Sequence, residues 1–134
     1  MFDRFFPDRY VASTYVIDFE KLYEEGYRGL IFDIDNTLVP HGAPADERAI
    51  ALFKRLREIG FSCCLLSNNK EPRVKMFNEK IGVSYIFKAG KPGKNGYEQA
   101  MRKIGTNKKR RFSLVISYLR MSGAQKERGF PIFL

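Results

Sequence analysis

Two aspartates, Asp33 and Asp35, are the residues of this sequence best suited to chemistry. They follow the apolar residues 29–32, which are typical of a strand buried on both faces of a parallel sheet. Because ligands of open α/β sheets bind outside the carboxyl ends of strands, both carboxylates are expected at the mouth of a site. One aspartate can attack phosphorus to form an aspartyl-phosphate, while the other protonates the leaving oxygen and then activates water.

Neighbouring carboxylates repel each other, so this pair favours a hard cation. Mg²⁺, held by one or two carboxylates and a substrate phosphate, fits Asp33 and Asp35. The D-x-D pattern alone has low specificity, because receiver domains, metal-dependent glycosyltransferases and acidic surface turns carry it too. The longer string D-I-D-N-T-L, residues 33–38, at the end of an apolar strand is more specific.

A second polar segment follows the next predicted strand, residues 61–66, and consists of Ser67, Asn68 and Asn69. The Ser67 hydroxyl and nearby backbone N–H groups would then lie at the start of a helix, where an anion is favoured. A plain helix N-cap is the alternative interpretation. The two interpretations are compatible.

A third polar segment follows a short predicted strand over residues 84–87 and contains Lys88 and Lys91. A lysine at a strand end offers a point charge to a phosphate. The single histidine, His41, lies in the loop after the two aspartates, but nothing pairs it with a nucleophile. We therefore assign His41 no role.

Helices are predicted between these strands, which gives an α/β fold. Asp18 is expected to cap a short helix over residues 19–25, and Asp46 to begin an amphipathic helix that ends at Gly60. Further helices are predicted over residues 72–80 and 96–104.

The order of these motifs resembles that of the haloacid dehalogenase (HAD) superfamily of phosphotransferases, whose motifs are D-x-D, a serine or threonine, and a lysine. The resemblance is closest to the small YqeG-type phosphatases of subfamily IIIA, relatives of mitochondrial phosphatidylglycerophosphate phosphatases, over about residues 5–105. It implies a three-layer, Rossmann-like fold with a parallel sheet. The gaps between the motifs are too short for a cap domain.

The resemblance also implies a Mg²⁺-dependent phosphatase acting on a phosphate monoester, either a phosphorylated small molecule or a phosphatidylglycerophosphate-like lipid head group. Asp33 would be the nucleophile and a metal ligand. Asp35 would be the general acid and base, with its backbone carbonyl on the metal. Ser67 and Lys91 would hold the phosphoryl oxygens, with Asn68 as a weaker candidate; the proline after Lys91 favours that lysine.

The fourth motif of the family, G-D-Q-x-x-T-D, is absent, and no acid lies between residues 111 and 126. Residues 111–129 can be written in permitted codons and then read in a shifted frame, in which each new codon takes the third base of one codon and the first two bases of the next. This shifted frame gives V-F-I-G-D-Q-L-F-T-D-V-W-G-A-K-R-A-G, which contains the missing motif. We therefore interpret residues 110–134 as an out-of-frame tail that leaves the fold C-terminally incomplete. A divergent or truncated member is the alternative explanation.

Length and composition suit a single HAD-like domain, with a lead-in over residues 1–28 and a core over residues 29–109. The 134 residues are 44% hydrophobic, which is normal for a globular protein. Cys63 and Cys64, adjacent in a predicted strand, are expected to be reduced packing residues.

The net charge of +9 would suggest a nucleic-acid partner, but seven basic residues and one acid lie from Lys108 onward. Six of the nine net positive charges thus lie from Lys108 onward, mainly in the out-of-frame tail, and we expect no nucleic-acid partner.

No apolar run approaches the roughly 20 residues of a membrane span, and the first residues do not resemble a signal peptide. We expect a cytoplasmic protein and leave peripheral membrane contact open.

Two other functions fit the same motifs. One is a catalytically dead remnant that binds phosphate or a partner, and Mg²⁺ affinity would distinguish it from an enzyme. The other is a receiver-like module that accepts a phosphoryl group. The S-N-N and K-P segments match the phosphatase pattern better than that of a receiver module.

Overall fold

The computed structural model describes residues 10–11, 13–88, 94–105, 112–116 and 130–133. The strands are β1 (Tyr10–Val11), β2 (Tyr27–Phe32), β3 (Ser62–Leu66), β4 (Ser84–Ile86), β5 (Phe112–Ile116) and β6 (Phe130–Phe133). The α-helices are α1 (Phe19–Glu24), α2 (Glu47–Ile59), α3 (Glu71–Asn78) and α4 (Lys94–Ile104), and a short 3-10 helix covers Thr14–Val16.

The strands form one sheet in the order β1-β6-β5-β2-β3-β4. The β5, β2, β3 and β4 strands run parallel, while β6 is antiparallel to both β5 and β1. This arrangement confirms the predicted α/β, Rossmann-like fold. It also brings the carboxyl ends of the four parallel strands to one edge, where the polar segments lie.

Two hydrophobic clusters cover the two faces of the sheet. Leu30 and Phe32 of β2 pack in the cluster that contains the buried residues of α1, α2 and α3, whereas Ile31 packs in the cluster with Ala100 of α4. All three β2 side chains are at most 1% exposed. Burial of such a side chain contributes about 1.5–3 kcal/mol, so β2 is held firmly between the layers.

The predicted helix boundaries agree with the structure at both aspartate caps. The Asp18 carboxylate accepts a hydrogen bond from the Lys21 N–H at 3.1 Å, and the Asp46 carboxylate accepts one from the Ala49 N–H at 2.8 Å. Gly60 ends α2 with φ +120°, and a Cβ there would lie 2.8 Å from the Tyr23 hydroxyl oxygen. Gly60 is therefore required both by its backbone angle and by the close approach of Tyr23.

Other expectations on the fold had different outcomes. Residues Phe112–Ile116 of the tail form β5, and β1, β6 and the 3-10 helix were not predicted. Cys63 and Cys64 are free and buried, as expected for packing residues. In the described part of the chain, no helix has the length and apolar character needed to cross a membrane.

Candidate active site

The chain leaves β2 between the two aspartates, so their carboxylates have different surroundings. The Asp33 N–H donates to the Ile116 carbonyl at 3.0 Å and extends the bonding between β2 and β5. The Asp33 Oδ1 accepts a hydrogen bond from the Ile34 N–H at 2.9 Å. Asp33 thus continues the hydrogen bonding of the sheet directly after β2, while Asp35 lies in the turn that follows.

This turn, residues 34–39, has its own hydrogen bonds. The Leu38 N–H donates to the Ile34 carbonyl at 2.9 Å, and the Asn36 N–H donates to the Val39 carbonyl at 2.7 Å. Asn36 has φ +63°, a left-handed conformation that asparagine adopts more readily than most residues. The Ile34 and Leu38 side chains are buried beneath the turn.

Two side chains of the 3-10 helix, which lies outside the parallel sheet, donate hydrogen bonds to the turn of residues 34–39. The Thr14 hydroxyl donates to the Thr37 carbonyl at 2.9 Å, and the Tyr15 hydroxyl donates to the Leu38 carbonyl at 2.6 Å. The Arg48 guanidinium lies 3.9 Å from the centre of the Tyr15 ring. The lead-in residues therefore help to fix the loop that carries Asp35.

The Asp35 carboxylate is largely buried and accepts three hydrogen bonds. Its Oδ1 accepts from the Gly42 N–H at 2.8 Å and from Arg73 Nη2 at 2.7 Å. Its Oδ2 accepts from the Asn69 side-chain amide at 2.7 Å. The orientation of the carboxylate is thus fixed by bonds to both of its oxygens.

The pKa of Asp35 lies below its ordinary value. Burial alone would raise this pKa, but the hydrogen bond from Gly42, the Arg73 guanidinium and the nearby His41 together outweigh burial. His41 is exposed, and its Nδ1 lies 3.9 Å from Asp35 Oδ1. Asp35 is therefore held in its charged form in the absence of a bound substrate or metal.

Ser67 is placed at the site by β3 but does not cap the following helix. The α3 helix begins at Glu71, and its N-cap is Lys70, so the N-cap interpretation of Ser67 is wrong. The reason is that residues 67–69 form a turn of their own, in which Ser67 Oγ accepts from the Asn69 N–H at 3.1 Å. The Ser67 side chain is buried, and that of Asn68 is exposed.

Asn69 joins the first two polar segments. Its side-chain amide donates to Asp35 Oδ2 and also lies 3.2 Å from Ser67 Oγ, to which it donates. Its carbonyl accepts from the Lys88 N–H at 3.0 Å, and Lys88 has φ +49°. The ends of β2, β3 and β4 therefore meet, as the parallel sheet predicted.

The third predicted contact, that of Lys91 with phosphate, falls outside the described residues and stays a prediction. Tyr97 of α4 packs against the hydrophobic cluster that contains Ile31. Burial, and secondly the charge of Asp33, raise the pKa of Tyr97.

The sequence predicted no role for Arg73, and it predicted Asn69 only as part of the polar segment after the second strand. For Arg73 a signal existed, because a cation in the first turn of a helix is disfavoured by the helix dipole unless something compensates for it. Asn69 already belongs to the predicted polar segment, but only the folded turn brings its side chain to Asp35.

The donor set fits a magnesium ion in part. In the part of the chain that the structure describes, no group of three histidine, cysteine, aspartate or glutamate side chains could hold a metal ion. The Asp33 carboxylate and the Asp35 backbone carbonyl are hard oxygen donors, and that carbonyl accepts no hydrogen bond from a described residue. Mg²⁺ commonly uses one or two carboxylates and completes its shell with water and phosphate, so these residues suit it.

One comparison with known proteins agrees with the YqeG-type part of the resemblance. No family model matches the chain. The chain is similar to the probable phosphatase YqeG of Bacillus subtilis (strain 168), with 40% identity over 105 residues. The matched segment is 78% of this chain and 61% of the relative, so it spans about three-fifths of the length of that curated protein. The chain is therefore similar to this probable phosphatase over most of its own length, and it has an α/β fold.

Proposed function

We propose that this protein is a HAD-type phosphatase that hydrolyses a phosphate monoester through an aspartyl-phosphate. The observation that carries the proposal is the junction at Asn69, whose side-chain amide donates to Asp35 and to Ser67. This junction brings the D-x-D segment to the segment expected to hold the phosphoryl group. The similarity to a probable phosphatase agrees with it.

In the first step a carboxylate oxygen of Asp33 attacks phosphorus, and the bond from phosphorus to the leaving oxygen breaks. The Ile34 N–H, bonded to Asp33 Oδ1, limits rotation of this carboxylate. Ser67 and Lys91 would bind the phosphoryl oxygens. Mg²⁺, bound by the Asp33 carboxylate and the Asp35 carbonyl, would supply positive charge to the phosphoryl group.

Asp35, charged in the free protein, would take up a proton from solvent when the substrate phosphate binds and give it to the leaving oxygen. It would then accept a proton from the water that attacks phosphorus and breaks the bond to Asp33. Its Oδ1 already accepts from Gly42 and Arg73, whereas its Oδ2 accepts only from Asn69 among the described residues. A carboxylate has about four acceptor directions, two on each oxygen. We therefore assign the transferred proton to Oδ2.

We further propose that residues 110–134 are out of frame and that the proper frame supplies the missing acid. The structure pairs Ile116 with Phe32, directly before Asp33. The first aspartate codon of the shifted frame joins the codons of Val115 and Ile116. The restored acid would therefore lie at the end of β5, beside Asp33, where a metal site lacks a carboxylate.

The test is steady-state hydrolysis of p-nitrophenyl phosphate by the full chain, with Mg²⁺ and with excess chelator. We expect turnover that needs Mg²⁺ and is lost in Asp33→Asn. Turnover that survives both chelator and Asp33→Asn would contradict the proposal.

A phosphate-binding remnant is the second candidate, and the lack of a three-acid cluster in the described residues favours it. It predicts that inorganic phosphate binds, as measured by calorimetry, while hydrolysis stays at the background rate. A lipid head group and a small phosphorylated molecule share the same phosphate chemistry. Vesicles containing phosphatidylglycerophosphate and soluble glycerol phosphate would distinguish the two substrate classes.

A further inference from the structure

Arg73 links three segments of the site with one guanidinium group. Its Nη2 donates to Asp35 Oδ1 at 2.7 Å, and its Nη1 donates to the Ala43 carbonyl at 2.7 Å. Arg73 itself belongs to the first turn of α3. The α3 helix is thereby tied to the D-x-D segment and to the loop that follows it.

We infer that Arg73 is a positioning residue for the proposed reaction, and that it holds the Asp35 carboxylate in the orientation that proton transfer needs. The inference rests on the proposed phosphatase function. It concerns a residue that lies outside every motif identified in the sequence.

The surroundings of this ion pair favour positioning over a purely stabilising role. The Arg73 and Asp35 side chains are only 14% and 13% exposed, whereas those of the surface pair Arg55 and Glu20 are 53% and 51% exposed. Removing two charges from water is costly, and a buried ion pair is therefore poor evidence of net stabilisation. Moreover, Arg73 Nε is buried and has no hydrogen-bond partner among the described residues.

The bonds of Arg73 also determine which oxygen of Asp35 can react. With Arg73 and Gly42 on Oδ1, the carboxylate cannot rotate to exchange its two oxygens without breaking both bonds. Oδ2 therefore keeps one position. A misplacement of about 1 Å can cost an enzyme roughly 10²-fold in rate, so losing this restraint on Oδ2 should lower the rate measurably.

The test compares leaving groups of different basicity. An alkyl phosphate such as glycerol phosphate needs a proton on its leaving oxygen, whereas p-nitrophenyl phosphate has a weakly basic leaving group and needs little protonation. We expect Arg73→Met to lower kcat/KM for glycerol phosphate roughly tenfold more than for p-nitrophenyl phosphate. Arg73→Lys should restore part of the difference, and the surface variant Arg55→Met should leave the ratio unchanged.

An equal loss for both substrates in Arg73→Met would show a merely structural role and overturn the inference. A second measurement does not depend on turnover. In ¹H–¹⁵N spectra of the full chain, the Gly42 amide and the Asn69 side-chain amide should shift in Arg73→Met and in Asp35→Asn alike, but not in Arg55→Met. Unchanged signals in Arg73→Met would overturn the inference, whereas shifted signals without hydrolysis in the parent would refute the proposed function alone.

Discussion

The Thr14 hydroxyl donates a hydrogen bond of 2.9 Å to the carbonyl of Thr37, and both residues are buried. This bond connects the 3-10 helix of the lead-in to the turn that carries Asp35. We expect Thr14→Val to lower the free energy of unfolding by about 1–3 kcal/mol, because the valine has the same shape but no donor. Urea unfolding of the full chain measures the effect, and Val16→Ala at an exposed position serves as the control. A difference below about 0.3 kcal/mol would contradict a role for this bond.

The Tyr15 hydroxyl should make stability depend on pH in the alkaline range. Burial, assisted by Asp46, raises the pKa of Tyr15 from 10.0 to about 12. Since the folded state favours the protonated hydroxyl, its stabilising effect is complete below pH 10 and declines as the pH rises toward 12. Tyr15→Phe lacks this dependence, so the gap in melting temperature between parent and variant should narrow from pH 10 to 12. A gap that stays constant over this range would disprove the assignment.

The two aspartates should differ in how severely their loss affects turnover. Asp33→Asn removes the nucleophile and should abolish hydrolysis of p-nitrophenyl phosphate. Asp35→Asn should reduce kcat by roughly 10²- to 10⁴-fold, the usual cost of losing a general acid and base. Asp46→Asn is the matched control, because Asp46 caps α2. Unchanged rates in either Asp33 or Asp35 variant would refute its assigned role.

Lys91, and not Lys88, should contact phosphate. The Lys88 backbone is bonded to Asn69, and its side chain is exposed. We therefore expect Lys91→Met to weaken inhibition by inorganic phosphate more than Lys88→Met does, because a nearby ammonium group adds a charged contact. If Lys88→Met has the larger effect on the inhibition constant, the lysine motif has been misplaced.

Restoring the reading frame near Arg110 should raise the weak Mg²⁺-dependent turnover of the chain to that of a full metal-dependent phosphatase. Phosphate monoester hydrolysis can require rate enhancements approaching ~10²¹-fold, so positioning alone does not replace a lost metal-binding acid. Both versions would be compared for Mg²⁺-dependent hydrolysis and thermal melting. The restored chain should be more active and melt at a higher temperature. Equal activity would identify the tail as a native variant of the site.

Most elements of the fold could be predicted because their signals are local. Asp18 and Asp46 cap helices, and the apolar residues 29–32 lie in the buried strand β2. The pairing of β1 with β6 could not be predicted, since it joins segments far apart in the chain and each has only a short apolar pattern.

The residues of the candidate site also differ in whether the sequence alone predicts them. Asp33, Asp35 and Ser67 are found from the strands that precede them. Asn69 lies in the predicted polar segment, but its bond to Asp35 is found only from the folded turns, as is that of Arg73, because these side chains come from 34 and 38 residues away. Spacing within a motif carries no information about such partners.

The hydrogen bond from Asp33 to Ile116 can form only once β5 has joined the sheet. The β2, β3 and β4 strands are neighbours in sequence as well as in the sheet, whereas β5 must close a much longer loop to reach the other side of β2. Loop closure and non-local pairing slow folding, so β5 should join the sheet last. During synthesis, a partly folded chain would then hold Asp35 in its turn while one side of Asp33 is still open.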